Sequence, residues 1–306
     1  MLCSFAWLRL DDVDPVTRSA AKNLGFGVFA VSDVTLAAKA DRFLKLHHGP
    51  EILLLANVWD VASARIVEHA GFQAIATSSA AVANSLGYPD GERISREEML
   101  DVVRRIAAKV SVPVSADLEA GYGESAEEMA ETARALIEAG AVGLNLEDGV
   151  DESAVTPIEQ HVDKVKSIRE AGERLGVHVV INARTDLYLA GIGEPSQRFD
   201  HTMERLTAYH RAGADSLFVP GVYDADTIGR LAKASPGPLN VLANPKSPSI
   251  PELERMGVRR LSFGSWPARA ALGFLARFTK ELAEKRTFTT LDDWAIPYAE
   301  MNRLVS

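Results

Sequence analysis

The stretch VPVSADLEAGYGESAEEMAETARALIEAGAVGLNLEDG, residues 112–149, contains the repeating unit of the whole chain. It opens on a short apolar run, 113–121, of the kind expected of a parallel strand buried on both faces. Ser125 with Glu128 reads as a capping box and starts a helix. Gly140 sits where a left-handed residue must end that helix, and a second apolar run, 143–149, follows directly. Working outward, the same unit recurs from about residue 50 to residue 265. Further strands are expected at 52–60, 73–79, 179–186, 216–222, 239–243 and 259–265. Ser95 with Glu98, and Thr156 with Pro157 and Glu159, read as further capping boxes. Met99, Val103, Ile106 and Val110 form a core-facing stripe. Gly71, Gly176, Gly213 and Gly257 are placed as Gly140 is. Strand alternating with helix implies right-handed crossovers and a parallel sheet. An open doubly wound sheet is the rival, but eight units with no dinucleotide fingerprint favour an α/β fold closed as a (β/α)8 TIM barrel with an extra C-terminal helical segment.

The barrel and its C-terminal helices are expected over residues 37–306, beginning with a lead-in helix at 37–48. Residues 1–36 show no clear periodicity and read as an N-terminal extension, either disordered or an added upstream piece. Helices are expected at 267–286 and in the 287–306 tail, which carries Trp294 and Tyr298. A formal net charge of −9 argues against a nucleic-acid partner, which needs a basic face. No apolar run approaches the length of a membrane span, and Asp11, Asp12 and Asp14 follow the short apolar start directly, unlike a secretory signal. With Cys3 the only cysteine, no internal disulfide forms, and the chain reads as cytoplasmic.

Function in a barrel gathers at the C-terminal ends of the strands. There the chain places Asn57, Trp59 and Asp60, then Thr77, Ser78 and Ser79 with Asp90 on the following loop. Asp117 and Glu119 come next, then Glu147 and Asp148, then Asn182, Arg184 and Asp186. Asn244, Ser262 and Ser265 complete the mouth. Any one of these acids alone reads equally as a solvated loop residue or a helix cap. Asp117 and Glu119, two apart on one strand, face the same side, and like charges gathered at one opening repel unless a cation holds them. An all-oxygen set completed by water suits Mg²⁺ or Mn²⁺ rather than zinc. Arg184 is placed to meet an anionic substrate; the alternative is a structural ion pair with Glu147 or Asp186. The Ser78-Ser79-Ala80 turn offers backbone NH groups to a carboxylate or is simply a tight turn.

The segments ANVWDVASARIVEHAGFQAIATSS, LGYPDGERIS, VPVSADLEAGYG, GLNLEDG, INARTDLYLAG, AGADSLFVPG, PLNVLANP and GVRRLSFGS resemble the phosphoenolpyruvate mutase/isocitrate lyase superfamily over roughly residues 37–285. The resemblance implies that Asp117 binds Mg²⁺ directly and that Asp90, Glu119 and Glu147 hold its water ligands. It implies that Ser78, Ser79 and Ala80 cradle the substrate carboxylate, that Arg184 contacts the substrate, and that Asn244 belongs to the same pocket. Arg184, Asp90 and Glu147 are then the expected catalytic groups. The activity implied is a C–C, less readily P–C, bond made or broken beside a 2-oxo or hydroxy carboxylate, through an enolate-like intermediate. Two other readings are a class II aldolase-like barrel and a non-catalytic barrel that binds an oxo-acid.

The chain departs from the isocitrate and methylisocitrate lyases, which resemble one another in a Lys/Arg-Cys-Gly-His motif. Its loops GYGESAEE and DGVDESAVTP hold no cysteine, lysine or histidine, so no cysteine-dependent cleavage of isocitrate is expected. The basic gating loop of the phosphonate-processing members is missing too. The apolar stripe Ala271, Leu275, Phe278 and Leu282, widened by Ala270 and Phe274, together with the resemblance, points to a homodimer or homotetramer through residues 267–306.

Overall fold

In a computed structural model, the protein is described over residues 35–151, 153–291 and 294–306. The expectation for residues 1–36 therefore lies, up to residue 34, outside the described residues, as does Cys3. The strands are β1 (Leu53–Leu55), β2 (Asn57–Val58), β3 (Ile75–Thr77), β4 (Val114–Asp117), β5 (Gly143–Glu147), β6 (Gly149–Asp151), β7 (Ala154–Val155), β8 (Val180–Arg184), β9 (Ser216–Val219), β10 (Leu239–Leu242) and β11 (Arg260–Ser262). Nine of them make one sheet in the order β1-β11-β10-β9-β8-β5-β4-β3-β2, with every pairing parallel. The two ends of that row, β1 and β2, are one strand interrupted at Ala56. Leu55 pairs with β11 while Asn57 pairs with β3, so the row returns to its own start and closes an eight-staved barrel.

Asn57 seals this seam. Its amide oxygen accepts from the backbone NH groups of Phe263 (2.7 Å) and Gly264 (2.9 Å), and its amide nitrogen donates to the Thr77 carbonyl at 2.7 Å. One buried side chain thus ties the last strand to the second unit across the break.

Helices alternate with strands on the outside: α1 (Leu36–His47), α2 (Val61–His69), α3 (Ser79–Ser85), α4 (Arg96–Ala107), α5 (Ala126–Glu138), α6 (Ile158–Arg174), α7 (Arg198–Arg211), α8 (Ala225–Ala234), α9 (Ile250–Met256), α10 (Trp266–Lys285) and α11 (Tyr298–Val305). The capping boxes of Ser95 and Ser125 form, and Met99, Val103 and Ile106 are buried, as their spacing requires. Gly71, Gly140, Gly176, Gly213 and Gly257 all take positive φ, between 70° and 111°. α1 closes the N-terminal end of the barrel: the Phe43 ring lies where a Cβ on Gly143 would stand 2.6 Å from it, so only glycine fits at the start of β5.

Three local readings are corrected. Thr156 makes no capping box; α6 starts after Pro157 without a side-chain cap, and the Thr156 NH instead donates to the Asp148 carbonyl at 2.7 Å. The segment after β5, read as loop, folds into the antiparallel pair β6–β7. Asp60, counted among the strand-end acids, caps α2 and accepts from Ser63 N at 2.7 Å. Among the described residues no helix is long and apolar enough to cross a membrane.

Removing the seam leaves partly buried NH groups without an acceptor, so Asn57→Ala is expected to cost about 2–4 kcal/mol. Urea unfolding measures it, and a loss below about 0.5 kcal/mol means the barrel closes without this bond.

Candidate active site

Asp117, the last residue of β4, is 7% exposed and held by three donors. Ser79 N and Ser79 Oγ each donate to Oδ2 at 2.9 Å, and Asn145 Nδ2 donates to Oδ1 at 3.0 Å. Ser79 stands there because Ser78 caps α3 directly behind β3. Asn145 stands there because β4 and β5 place Asp117 opposite Asn145, and β8 continues the row with Asn182.

The direction of these bonds is settled at the opposite end of the barrel. The buried Arg260, first residue of β11, can only donate. Its Nη1 reaches His47 Nε2 at 3.2 Å, and its Nη2 reaches Asn145 Oδ1 at 3.3 Å. His47 Nδ1 already lies 2.8 Å from the Phe43 carbonyl, which fixes the neutral tautomer. Burial, and then the Arg260 charge, bring the His47 pKa down to about 3. Asn182 Nδ2 also donates to Asn145 Oδ1, at 2.7 Å. With its oxygen taken twice, Asn145 can only turn its NH₂ to Asp117. Arg260 has no carboxylate partner among the described residues, and burial lowers its pKa to about 9.

Glu119 is not on the same strand face as Asp117. β4 ends at Asp117, and Glu119 takes a left-handed φ of 51°, so strand alternation does not reach it. Its carboxylate, 3% exposed, instead accepts from Glu92 N at 2.6 Å and lies 3.4 Å from the Tyr122 hydroxyl. Burial, with the charges of Asp90 and Asp117 added, raises its pKa to about 7. Asp90 sits exposed on the rim, yet it too titrates high, because of desolvation and the facing charge of Asp117. Glu147 is pushed well up by burial against the opposing pull of Arg184.

Arg184 is both of the things its position allowed. It pairs with Glu147 through Nη1 at 2.6 Å and with Asp186 through Nε (2.6 Å) and Nη2 (3.0 Å). Burial opposes its charge, but Glu147 and Asp186 outweigh burial and raise its pKa. It also lines a cavity of about 180 Å³ at the barrel mouth. Ser78, Ser79, Ala80, Asp90, Asp117 and Asn145 line the same cavity, so the structure brings most of the expected set together. Glu119 and Glu147 stand behind this lining. Asn244 is placed elsewhere: its side-chain oxygen accepts from Lys246 N at 2.7 Å and bends the 244–247 turn, and it is not a lining residue. No three His, Cys, Asp or Glu side chains among the described residues are grouped so as to hold a metal between them.

Sequence reasoning passed over Asn145 and the apolar wall of Leu189, Phe218, Pro220 and Leu242. An asparagine inside the apolar run GLNLE was the available signal for the first. Nothing in the pattern marks the second, since Phe218 and Leu242 look like any core residue.

A closed parallel barrel with acids and one arginine at its C-terminal mouth is an enzyme scaffold. The family model for phosphoenolpyruvate phosphomutase matches residues 43–283. The uncharacterized protein MT2054 of Mycobacterium tuberculosis (strain CDC 1551 / Oshkosh) is 33% identical over 86% of this chain and 96% of its own length. The 2-methylisocitrate lyase of Bacillus subtilis (strain 168) is 29% identical over 76% and 77%. A solved structure from Burkholderia cenocepacia J2315, a candidate lyase/mutase, is 38% identical, with a TM-score of 0.82 over 89% of this chain and 96% of that one. The chain belongs to the phosphoenolpyruvate mutase/isocitrate lyase superfamily, and the protein is an enzyme of that group.

The raised Glu119 pKa means the fold prefers its neutral form. That contribution to stability is full below the ordinary value of 4.5 and is lost as pH rises through about 7. In metal-free protein, Glu119→Gln should therefore gain on the wild type between pH 5 and pH 8 in urea midpoints. A gap that does not grow over those roughly three pH units contradicts the burial of this charge.

Proposed function

We propose that the protein is a divalent-metal-dependent carbon–carbon lyase acting on a small 2-oxo or 2-hydroxy carboxylate. The observation that carries this reading is the Asp117 carboxylate, fixed by three donors on a cavity wall that it shares with Arg184, its charge adding to the burial that raises the pKa of Asp90, Glu119 and Glu147.

The residues fit Mg²⁺ or Mn²⁺. All the acids present are oxygen donors, and the described side chains form no closed cage. A cation anchored on Asp117 and otherwise hydrated, with Asp90, Glu119 and Glu147 reached through water, is how Mg²⁺ is ordinarily held. When bound, it supplies Lewis-acid stabilisation of negative charge developing on a substrate oxygen. The chain's own groups do the rest. Ser78 and Ala80 seat the substrate carboxylate while Ser79 holds Asp117, and Arg184, locked by Glu147 and Asp186, presents its remaining N–H groups. Glu119, raised by burial to about 7, is the acid near Asp117 poised to exchange a proton near neutrality. Carbon–carbon rather than carbon–phosphorus chemistry is supported by the named lyase among the relatives and by the missing basic gating loop.

Asp117→Asn keeps the shape and the fold but lowers the charge at the anchor. Mn²⁺ affinity by calorimetry should fall by at least about tenfold, with the thermal midpoint little changed. Equal affinity in both proteins removes Asp117 as the metal anchor.

We also propose a homodimer or homotetramer built through α10. Of its 20 residues only Ala268 is buried, while Leu272, Leu275 and Leu282 are 55%, 51% and 47% exposed. It does not pack as an eighth outer helix; α11 instead returns to α2, where Arg65 Nε bonds the Leu304 carbonyl at 2.7 Å. A 20-residue helix with an open leucine face needs a second copy to cover it. Light scattering at micromolar concentration should give at least twice the chain mass, and a stable monomer refutes the assembly.

A further inference from the structure

The cavity is divided by barrel arc. Its polar wall comes from one side of the sheet: Asn57 on β2, Ser78–Ala80 after β3, Asp117 on β4 and Asn145 on β5. Its apolar wall comes from the loop after β8 (Leu189), the end of β9 (Phe218, Pro220) and the end of β10 (Leu242). β8, β9 and β10 are neighbours in the sheet, so these four side chains form one continuous patch. Leu189 is held in the patch by design of the backbone. A Cβ on Gly221 would stand 2.6 Å from the Leu189 Cα, so only glycine lets the two segments touch. Leu189 is nonetheless 47% exposed, an apolar side chain held half open at the mouth.

Charge divides the cavity the same way. Among the described residues that line it, Arg184 is the only cation. It stands where the two walls meet, 5.7 Å over the Phe218 ring and already paired with Glu147 and Asp186. One carboxylate on a ligand has partners in the serine turn, Arg184 and a metal on Asp117. A second carboxylate reaching the opposite wall would lose its water against Leu189, Phe218, Pro220 and Leu242, with Arg184 already holding two carboxylates and only the Ser262 and Ser265 hydroxyls bordering that wall. Size adds to this. The cavity of about 180 Å³ is smaller than an ordinary drug-sized site. At roughly 30 Å³ per water it admits a ligand on the order of six to nine non-hydrogen atoms.

We propose that the site takes a 2-oxo or 2-hydroxy monocarboxylate whose far end is an uncharged alkyl group, seated against Leu189, Phe218, Pro220 and Leu242. This rests on the reading of the mouth as an oxo-acid site, and differs from the tricarboxylate named for the Bacillus subtilis relative.

The test uses the full chain with saturating Mg²⁺ and three probes measured by calorimetry. Oxalate carries only the shared head. 2-Hydroxy-4-methylpentanoate and malate have nearly the same shape, ending in an isopropyl group and a carboxylate respectively. The alkyl acid is expected to bind at least about tenfold more tightly than malate, from the apolar area it removes from water. Leu189→Arg, at a half-exposed side chain, should narrow or invert that preference by supplying an unpaired cation on the apolar wall. If oxalate binds but malate equals or exceeds the alkyl acid, the monocarboxylate assignment is wrong while the oxo-acid site stands. If oxalate does not bind at all, the oxo-acid site itself is wrong and the alkyl preference goes with it.

Discussion

Asn57 accepts from Phe263 and Gly264 and donates to Thr77, and everything at the mouth depends on that junction. A barrel of parallel strands has to close on itself, yet the first strand breaks at Ala56 to change partners. Only a side chain with both a donor and an acceptor can serve the two edges of the break at once. Asn57 therefore ties the end of β11 to the end of β3 across the β1–β2 stave, and with it sets the rim on which Ser78, Asp117 and Gly264 surround one cavity.

Within that rim the electrostatics follow from geometry more than from any one residue. Asp90, Glu119 and Glu147 all titrate above the ordinary range, in each case with desolvation first and neighbouring acids adding to it or Arg184 resisting it. A fold concentrates unfavourable charge like this where a function requires it. Arg184 relieves part of the strain through Glu147 and Asp186, and Asp148 supports Asp186 from behind by accepting its NH at 3.0 Å.

Most of the barrel was legible because strand, cap and glycine signals repeat with the unit. The eight strand positions hold, and all five inter-element glycines are left-handed as expected. What was not legible is where tertiary contact overrides local pattern. Thr156 gives its NH to Asp148 rather than serving as a cap, and Glu119 leaves the strand through a positive φ that no spacing rule anticipates. For the site, the acids and Arg184 stood out because charge at a strand end is conspicuous. Asn244 stood out as a polar residue directly after a strand but is absorbed by a turn. The apolar wall was hidden because Phe218 and Leu242 have the same appearance in sequence whether they face the core or a ligand.

The chain of donors from Arg260 through Asn145 to Asp117 has a further consequence. The orientation of an amide at the open end is set by a guanidinium at the sealed end, and α1 supplies the His47 that receives the other half of that guanidinium. The rim is thus not portable. Loops carried onto another barrel would arrive without the plug that orients them, and an unanchored Asn145 could turn its oxygen toward a carboxylate. Any transplant of this chemistry has to include the first helix and the floor of the barrel, far from where the substrate sits.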